Sequence, residues 1–316
     1  MSPNSWICLH PSNATQTTVS LDNRGLAYGD GFFTTMGVID GQILWLDYHQ
    51  QRLVSHAVAL QLQLDSQLLL AMLKIHAKQL QQGMLKLIIT RAEQEVRGYG
   101  YTPNTGGGSA CEIWLKSSPM AITTARSLPL ADGQFIPLQP AASAICLSSQ
   151  IACLPPTLAR LKSLNRLDNV LASGELQAIK AKTLAGTIKP SIAEGLLRDM
   201  SGQWVEGTMS NVFYQLVEAP VAKSSNRPHS QNNSSNYLTQ GQWYTPSMAH
   251  SGVAGVMRQV IIDTLSTSNS PVIIRSLQDE DLPHLSQLFF CNALRGIMPM
   301  SSLRLLSGEV MGFEAS

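Results

Sequence analysis

Only two residues, Asp40-Gly41, separate the extended runs Phe32 to Ile39 and Gln42 to Leu46. A connection that short joins antiparallel strands, because parallel neighbours need a long crossover. Asp40-Gly41 is therefore a hairpin turn signal, with Gln42 to Leu46 as the returning strand. Asp47, with Gln50 three residues on, has the form of a capping box, and Leu53, Ala57 and Leu60 follow at helical spacing. A second helix is predicted over Ser66 to Gln81. Leu85, Leu87 and Ile89 then alternate along a strand from Met84 to Arg91, and another strand fits Ala110 to Lys116. Antiparallel hairpins beside two helices define an α+β unit.

At 316 residues the chain is long enough for two domains around one site. The expected division is a smaller α+β domain at 1–120, a linker region at 121–142, and a larger domain at 143–316. The stretch 117–142 is rich in Pro, Ala, Ser and Thr and has no clear period, which fits a linker, with a strand in part of it as the alternative. Beyond it the pattern predicts a strand near Ser143 to Ser149 and a strong helix from about Asn165 to Lys182. Strands follow at 195–199, 203–216 and 242–245, then a helix from near Gly252 and strands at 272–275 and 287–292. Residues 222–236 form a polar low-complexity insertion, expected as a surface loop.

Charge narrows the function classes. With 22 basic and 21 acidic residues, the chain lacks the excess that a nucleic-acid or membrane-surface partner requires. No run is long and uncharged enough to span a membrane, since Asp65 interrupts the leucine-rich stretch around 60–73. The first residues, MSPNSWICLHPSNATQ, lack the basic start and apolar block of a signal peptide, so a cytoplasmic protein is expected. Five scattered cysteines without a CxxC pair, and seven histidines without a ligand cluster, predict neither a metal site nor a disulfide framework.

Four segments carry candidate chemistry. In LKSLNRLDNVLA (161–172), Lys162 precedes a helix whose Leu164, Leu167 and Leu171 are expected to face inward. A lysine flanked by leucines is partly desolvated, which lowers its pKa and leaves a nucleophilic amine. A single lysine is more often a snorkelling surface residue, so Lys162 alone proves nothing. In VEGTMSNVF (205–213), Glu206 lies among apolar strand residues and must find a positive partner if buried; at a hairpin edge it would simply be solvated. In SGVAGVMRQVIID (251–263), small residues open a helix, so the Val253 and Ala254 amides are expected to be free at its positive end and to suit a phosphate. Arg52 in the first helix is placed to cap that phosphate, although an arginine on an amphipathic helix is commonly just solvated. Arg91 and Arg97 lie near an open glycine- and tyrosine-rich loop, RGYGYTP, and suit either substrate carboxylates or the surface. Thr34 and Thr35 share the first strand, where Thr34 is a candidate substrate contact and an ordinary strand threonine is the plainer reading.

Taken in order, RGLAYGDGFFTT, QRL, RGY, K-x-LNRL-x-NVLA, VEGTxSNVF, GVAGVMRQ and FFCNAL run from residue 24 to residue 294 and resemble the fold-type-IV pyridoxal-phosphate enzymes. Those have a two-domain, D-amino-acid-aminotransferase-like α+β fold with the cofactor in the interdomain cleft. Within that superfamily the chain is most similar to the aminodeoxychorismate lyases, on its Lys162-Ser-Leu-Asn-Arg-Leu run, its Arg97-Gly98-Tyr99 loop and Cys291-Asn292-Ala293-Leu294. The resemblance implies pyridoxal 5'-phosphate as cofactor, Lys162 as its Schiff-base lysine and Glu206 as the partner of its ring nitrogen. It also implies phosphate contacts from Arg52 and the Val253 and Ala254 amides, with Asn292 and Ala293 near the cofactor. The implied reaction converts 4-amino-4-deoxychorismate to 4-aminobenzoate and pyruvate in a homodimer. Met209 departs from the small residues usual at its position, which puts the pocket wall there in doubt. The alternatives are a D-amino-acid or branched-chain aminotransferase on the same fold and, in another class, a cofactor-free binding protein.

Overall fold

The structure is a computed structural model, and it describes residues 6–10, 18–103, 108, 110–122, 126–130, 134–185, 192–217 and 237–313. The first sheet collects β1 (Trp6–His10), β2 (Gly31–Ile39), β3 (Gln42–Ile43), β4 (Gly83–Arg91) and β5 (Cys111–Pro119) in the order β1-β5-β4-β2-β3. Every pairing in it is antiparallel, as the two-residue turn requires. A short helix α1 (Arg24–Tyr28) leads into β2, while α2 (Leu46–Ala59) and α3 (Ser66–Leu80) pack on the sheet.

Strand periodicity decides what each face of this sheet does. Phe32, Thr34 and Met36 pair with Ile89, Leu87 and Leu85 and point into the core with Leu53 and Leu73, all fully buried. Phe33 and Thr35, opposite Ile88 and Lys86, belong to the other face. The expected capping box does not form. Helix α2 starts at Leu46 from Trp45, which is left-handed (φ 59°) and makes no side-chain cap bond, because the chain must turn sharply out of a returning strand that is only two residues long. Asp65 instead caps α3, its carboxylate accepting the Leu68 amide hydrogen at 2.9 Å.

The second sheet is mixed and larger. It contains β6 (Arg126–Pro129), β7 (Phe135–Leu138), β8 (Ala142–Ile151), β9 (Ile192–Asp199), β10 (Trp204–Gly207), β11 (Asn211–Leu216), β12 (Tyr244–Thr245), β13 (Ile273–Ile274), β14 (Leu285–Asn292), β15 (Gly296–Arg304) and β16 (Val310–Gly312). Two helices cover it, α4 (Leu167–Ala185) and α5 (Val256–Leu265). The stretch expected as a linker thus supplies the β6–β7 hairpin, whose Leu128, Ile136 and Leu138 are buried with α5 and β14. Pro129 and Pro137 sit in these four-residue strands, where a missing amide costs little. The strands β1, β15 and β16 had no counterpart in the sequence reading, and the insertion at 222–236 lies outside the described residues.

Helix α4 turns differently from the expectation. It buries Ala172 and Leu176 against Ile145, Leu147, Ile192 and Val205. Leu167 and Leu171 are 72% and 70% exposed. Its spacing fits either face, and the sheet beneath selects the one carrying Ala172 and Leu176.

Candidate active site

The stretch 160–164 threads between the two sheets. On one side Phe33 N–H donates to the Lys162 carbonyl at 3.0 Å, and Leu164 N–H donates to the Gly31 carbonyl at 3.0 Å, extending the outer edge of β2. On the other side Ala254 N–H donates to the Arg160 carbonyl at 3.0 Å, just ahead of α5. Lys162 is therefore fixed at the junction. Its Nζ sits 4.6 Å from the centre of the Phe33 ring, on the cleft face of β2, and Lys86 Nζ approaches the same ring at 5.4 Å. Burial, with the positive charges of Arg52, Arg166 and Lys86, pushes the Lys162 amine down to about 8, while Glu206 opposes them.

Glu206 is 3% exposed on β10. One carboxylate oxygen accepts from Arg166 Nη2 at 3.2 Å and Asn169 Nδ2 at 3.5 Å, and the other accepts the Val253 amide hydrogen at 2.8 Å. Burial pushes its pKa up, against Arg166, the Val253 amide and Lys162. The positive partner demanded by burial is thus supplied within the chain, by Arg166 just ahead of α4.

The amide expectation needs correction. Neither Val253 nor Ala254 is free, since the first donates to Glu206 and the second to Arg160. Helix α5 begins later, at Val256, with Gly255 as N-cap. A Cβ on Gly255 would lie 1.9 Å from Asn211 Oδ1, so only glycine lets the loop pass there. Asn211 in turn donates to the Val253 carbonyl at 2.8 Å. The amides at the positive end of the helix are those of Val256 and Met257, which have no intrahelical acceptor.

Arg52 is 7% exposed on α2. It donates to the Ala254 carbonyl at 2.6 Å and to Thr34 Oγ1 at 3.5 Å, and among the described residues no carboxylate pairs with it. Burial pushes it down to about 10. A buried guanidinium without a counter-ion, beside the N-terminus of a helix, is a place short of an anion.

The remaining candidates separate. Thr34 lies on the core side of β2, fully buried, with its hydroxyl 2.9 Å from His49 Nδ1, so it is turned away from any substrate. Arg91 is buried, ion-paired to Asp30 at 2.9 Å, bonded to the Leu60 and Gln61 carbonyls and stacked on Tyr101 at 3.8 Å. It braces the end of β4, with four of its five N–H donors spent on Asp30 and the two carbonyls. Arg97 is exposed on a loop whose Gly98 and Tyr99 carbonyls accept from Arg24 at 3.3 and 3.2 Å. Asn292 ends β14, caps the following turn through the Leu294 and Arg295 amides, and donates to the Met209 carbonyl at 3.5 Å, beside the segment that follows Glu206. Ala293 packs on the core beneath α5. Met209 is 64% exposed. The residues that sequence reasoning missed are Lys86, Arg166, Asn169 and Asn211. Arg166, Asn169 and Asn211 stood inside the quoted motifs without a role assigned to them, and Lys86 showed only as the outward position between Leu85 and Leu87 in an alternating strand.

This geometry belongs to an enzyme class that a comparison with known proteins identifies. Residues 31–303 match the class IV amino-transferase family, and the chain belongs to it. That family is pyridoxal-phosphate-dependent, and the architecture is the fold-type-IV one. Among solved structures, the chain is similar to 4-amino-4-deoxychorismate lyase from Pseudomonas aeruginosa, at 29% identity and TM-score 0.69, covering 95% of this chain and 92% of that one. Among curated proteins, it is 24% identical over 289 residues to an aminodeoxychorismate lyase from Vibrio harveyi, covering 91% of this chain and 88% of the relative. A hypothetical aminotransferase from Mycobacterium tuberculosis, in its PLP-bound form, shares the fold at 16% identity and TM-score 0.64, covering 98% of this chain and 93% of that one. No helix among the described residues is long and apolar enough to cross a membrane.

Proposed function

We propose that this chain is a pyridoxal-5'-phosphate-dependent lyase that converts 4-amino-4-deoxychorismate to 4-aminobenzoate and pyruvate. The observation that carries the reading is a lysine amine held at about 8 between a buried carboxylate and a buried arginine without a counter-ion. The residues fit the cofactor at each end. Arg52, with the Val256 and Met257 amides, would take the phosphate; Glu206, with its raised proton affinity, would face the ring nitrogen; Lys162 would hold the aldehyde carbon. The bound cofactor supplies a sink for the electron pair left when a C–H bond beside the substrate amine breaks.

The chain's own groups do the rest. Lys162, with a depressed pKa, is a base competent near neutral pH and takes the proton from the amine-bearing ring carbon. Loss of that proton and of the neighbouring enolpyruvyl oxygen leaves an aromatic ring, which drives the step. Lys86 stands on the cleft face of β4, shares the Phe33 ring with Lys162 and has no carboxylate partner among the described residues. It supplies the cation that a dicarboxylate substrate needs. Arg97 is a second such cation, exposed on its loop and suited to reach the site of a neighbouring copy.

A homodimer is part of the proposal. Leu167, Val170 and Leu171 expose an apolar face at the start of α4. Helix α1, with exposed Leu26 and Tyr28, lies against Asn165 through Gly29, and Tyr28 meets Tyr99 at 5.3 Å. Such a patch is normally covered. Light scattering is expected to give a dimer, and Leu171→Asp to shift it towards monomer; a monomer with full activity would refute it.

The reaction is tested by supplying enzymatically generated aminodeoxychorismate and following 4-aminobenzoate and pyruvate, with D-alanine or branched-chain amino acids plus 2-oxoglutarate in parallel. Transamination alone would convert the assignment to the aminotransferase reading, which the shared fold also accommodates. Lys86→Ala is expected to cost about 1.5–3 kcal/mol in kcat/KM for the dicarboxylate, the scale of a charge-assisted hydrogen bond. Arg97→Ala is expected to weaken the same substrate, and slow transamination of a simple amino acid should change less with either variant. Equal loss of both activities would sink the carboxylate role.

A further inference from the structure

His56 lies on α2, one turn beyond Arg52, and is 5% exposed. Its Nε2 accepts the Lys162 backbone N–H at 2.9 Å. A main-chain amide can only donate, so Nε2 carries no proton and the ring proton of the neutral imidazole is on Nδ1. Nδ1 lies 3.3 Å from Ser55 Oγ, and the Ser55 hydroxyl donates to the Arg52 carbonyl at 3.1 Å. Every direction in the relay is therefore fixed: Lys162 N–H to His56, His56 Nδ1–H to Ser55, and Ser55 O–H to Arg52. The ring also packs against Phe32, with the ring centres 5.2 Å apart and the planes tilted by 59°.

We propose that His56 is a positioning residue that sets the distance between the Lys162 amine and the anion site at Arg52, so that the two ends of one cofactor are met at once. The inference rests on the reading of Lys162 and Arg52 as the aldehyde-binding and phosphate-binding groups. Without His56 the carbonyl of Lys162 remains pinned to β2, but its amide is left buried and unpaired, and the 160–164 stretch loses its link to α2. The imidazole suits this task because it stays neutral: burial, then the charges of Arg52 and Lys162, push it down to about 3. The ring therefore adds no positive charge of its own beside Arg52 and Lys162.

The test compares His56→Leu, which removes the acceptor, with His56→Gln, whose side-chain oxygen reaches the Nε2 position. Two ligands are used with each cofactor-free protein. Pyridoxal phosphate reads covalent capture at Lys162, followed by absorbance and by borohydride trapping with peptide mapping. Deoxypyridoxine phosphate lacks the aldehyde and reads the phosphate and ring contacts alone, by fluorescence. His56→Leu is expected to slow covalent capture about tenfold, the effect of one buried unpaired amide. Binding of the deoxy analogue should change little, and His56→Gln should recover most of the capture rate. Equal weakening of both ligands in His56→Leu would mean general destabilisation, and His56→Gln behaving like His56→Leu, or no effect in either, would also overturn the proposal. Failure of the unsubstituted protein to trap pyridoxal phosphate at Lys162 would instead overturn the functional reading beneath it.

Discussion

Lys162→Ala is expected to abolish turnover while leaving the fold intact. Loss of a positioned base alone costs about 10²–10⁴-fold, and this residue is also the only group proposed to hold the cofactor covalently. The side chain can be removed cheaply because the structural work of position 162 is done by its backbone, through Phe33 and His56. Borohydride reduction of the cofactor-loaded protein, followed by peptide mapping, is expected to mark Lys162; an adduct on another lysine would remove it from the mechanism. The depressed pKa adds a pH signature. An amine attacks an aldehyde only when neutral, so at pH 7 roughly a tenth of these amines are reactive at a pKa of about 8, against fewer than about one in a thousand for an ordinary lysine. Capture of pyridoxal phosphate should therefore accelerate with rising pH and level off above about 8. A rate still climbing through pH 10 would contradict the desolvation account.

Glu206→Gln carries the second-largest effect. The carboxylate accepts from Arg166 and Asn169 on one oxygen and from Val253 on the other. A carboxamide has one oxygen, so either Arg166 or the Val253 amide loses its acceptor, at a stability cost of about 1–3 kcal/mol. The larger consequence is chemical. Without the negative charge the ring nitrogen of the cofactor would no longer be kept protonated, and turnover is expected to fall about 10²-fold or more. The phosphate contacts proposed at Arg52 lie elsewhere, so the cofactor should still bind. Glu206→Asp, which keeps the charge on a shorter arm, separates the two effects by retaining more turnover than Glu206→Gln. Near-wild-type turnover in a stably folded Glu206→Gln protein would show that the ring is not tuned by this residue.

The parts of this protein written locally were legible in the sequence. Leu85, Leu87 and Ile89 alternate because one face of β4 is buried and the other is not, and Asp40-Gly41 can close only a hairpin. Lys162 and Glu206 stood out because a charged residue among apolar neighbours is conspicuous without knowledge of its surroundings. The alternation of β4 even contained Lys86, but only as an outward residue; its place beside Lys162 on the Phe33 ring depends on what the outward face meets.

Tertiary structure decided everything that depends on a distant partner. Arg52 and Ala254 are 202 residues apart in sequence, and Lys162 and His56 are 106 apart, so no local period can register either contact. The same limit explains the errors. Arg91 looked available until Asp30 and two carbonyls took its donors, and Val253 and Ala254 looked free until Glu206 and Arg160 accepted their amides. Leu167 and Leu171 looked like core until the sheet turned α4 onto Ala172 and Leu176. Sequence determined the elements and the residue types the chemistry needs, because propensity and burial alternation act over a few residues. Which cations are spent, which remain free and which face of a helix is covered followed only from packing, because a hydrogen bond or ion pair is set by proximity in space.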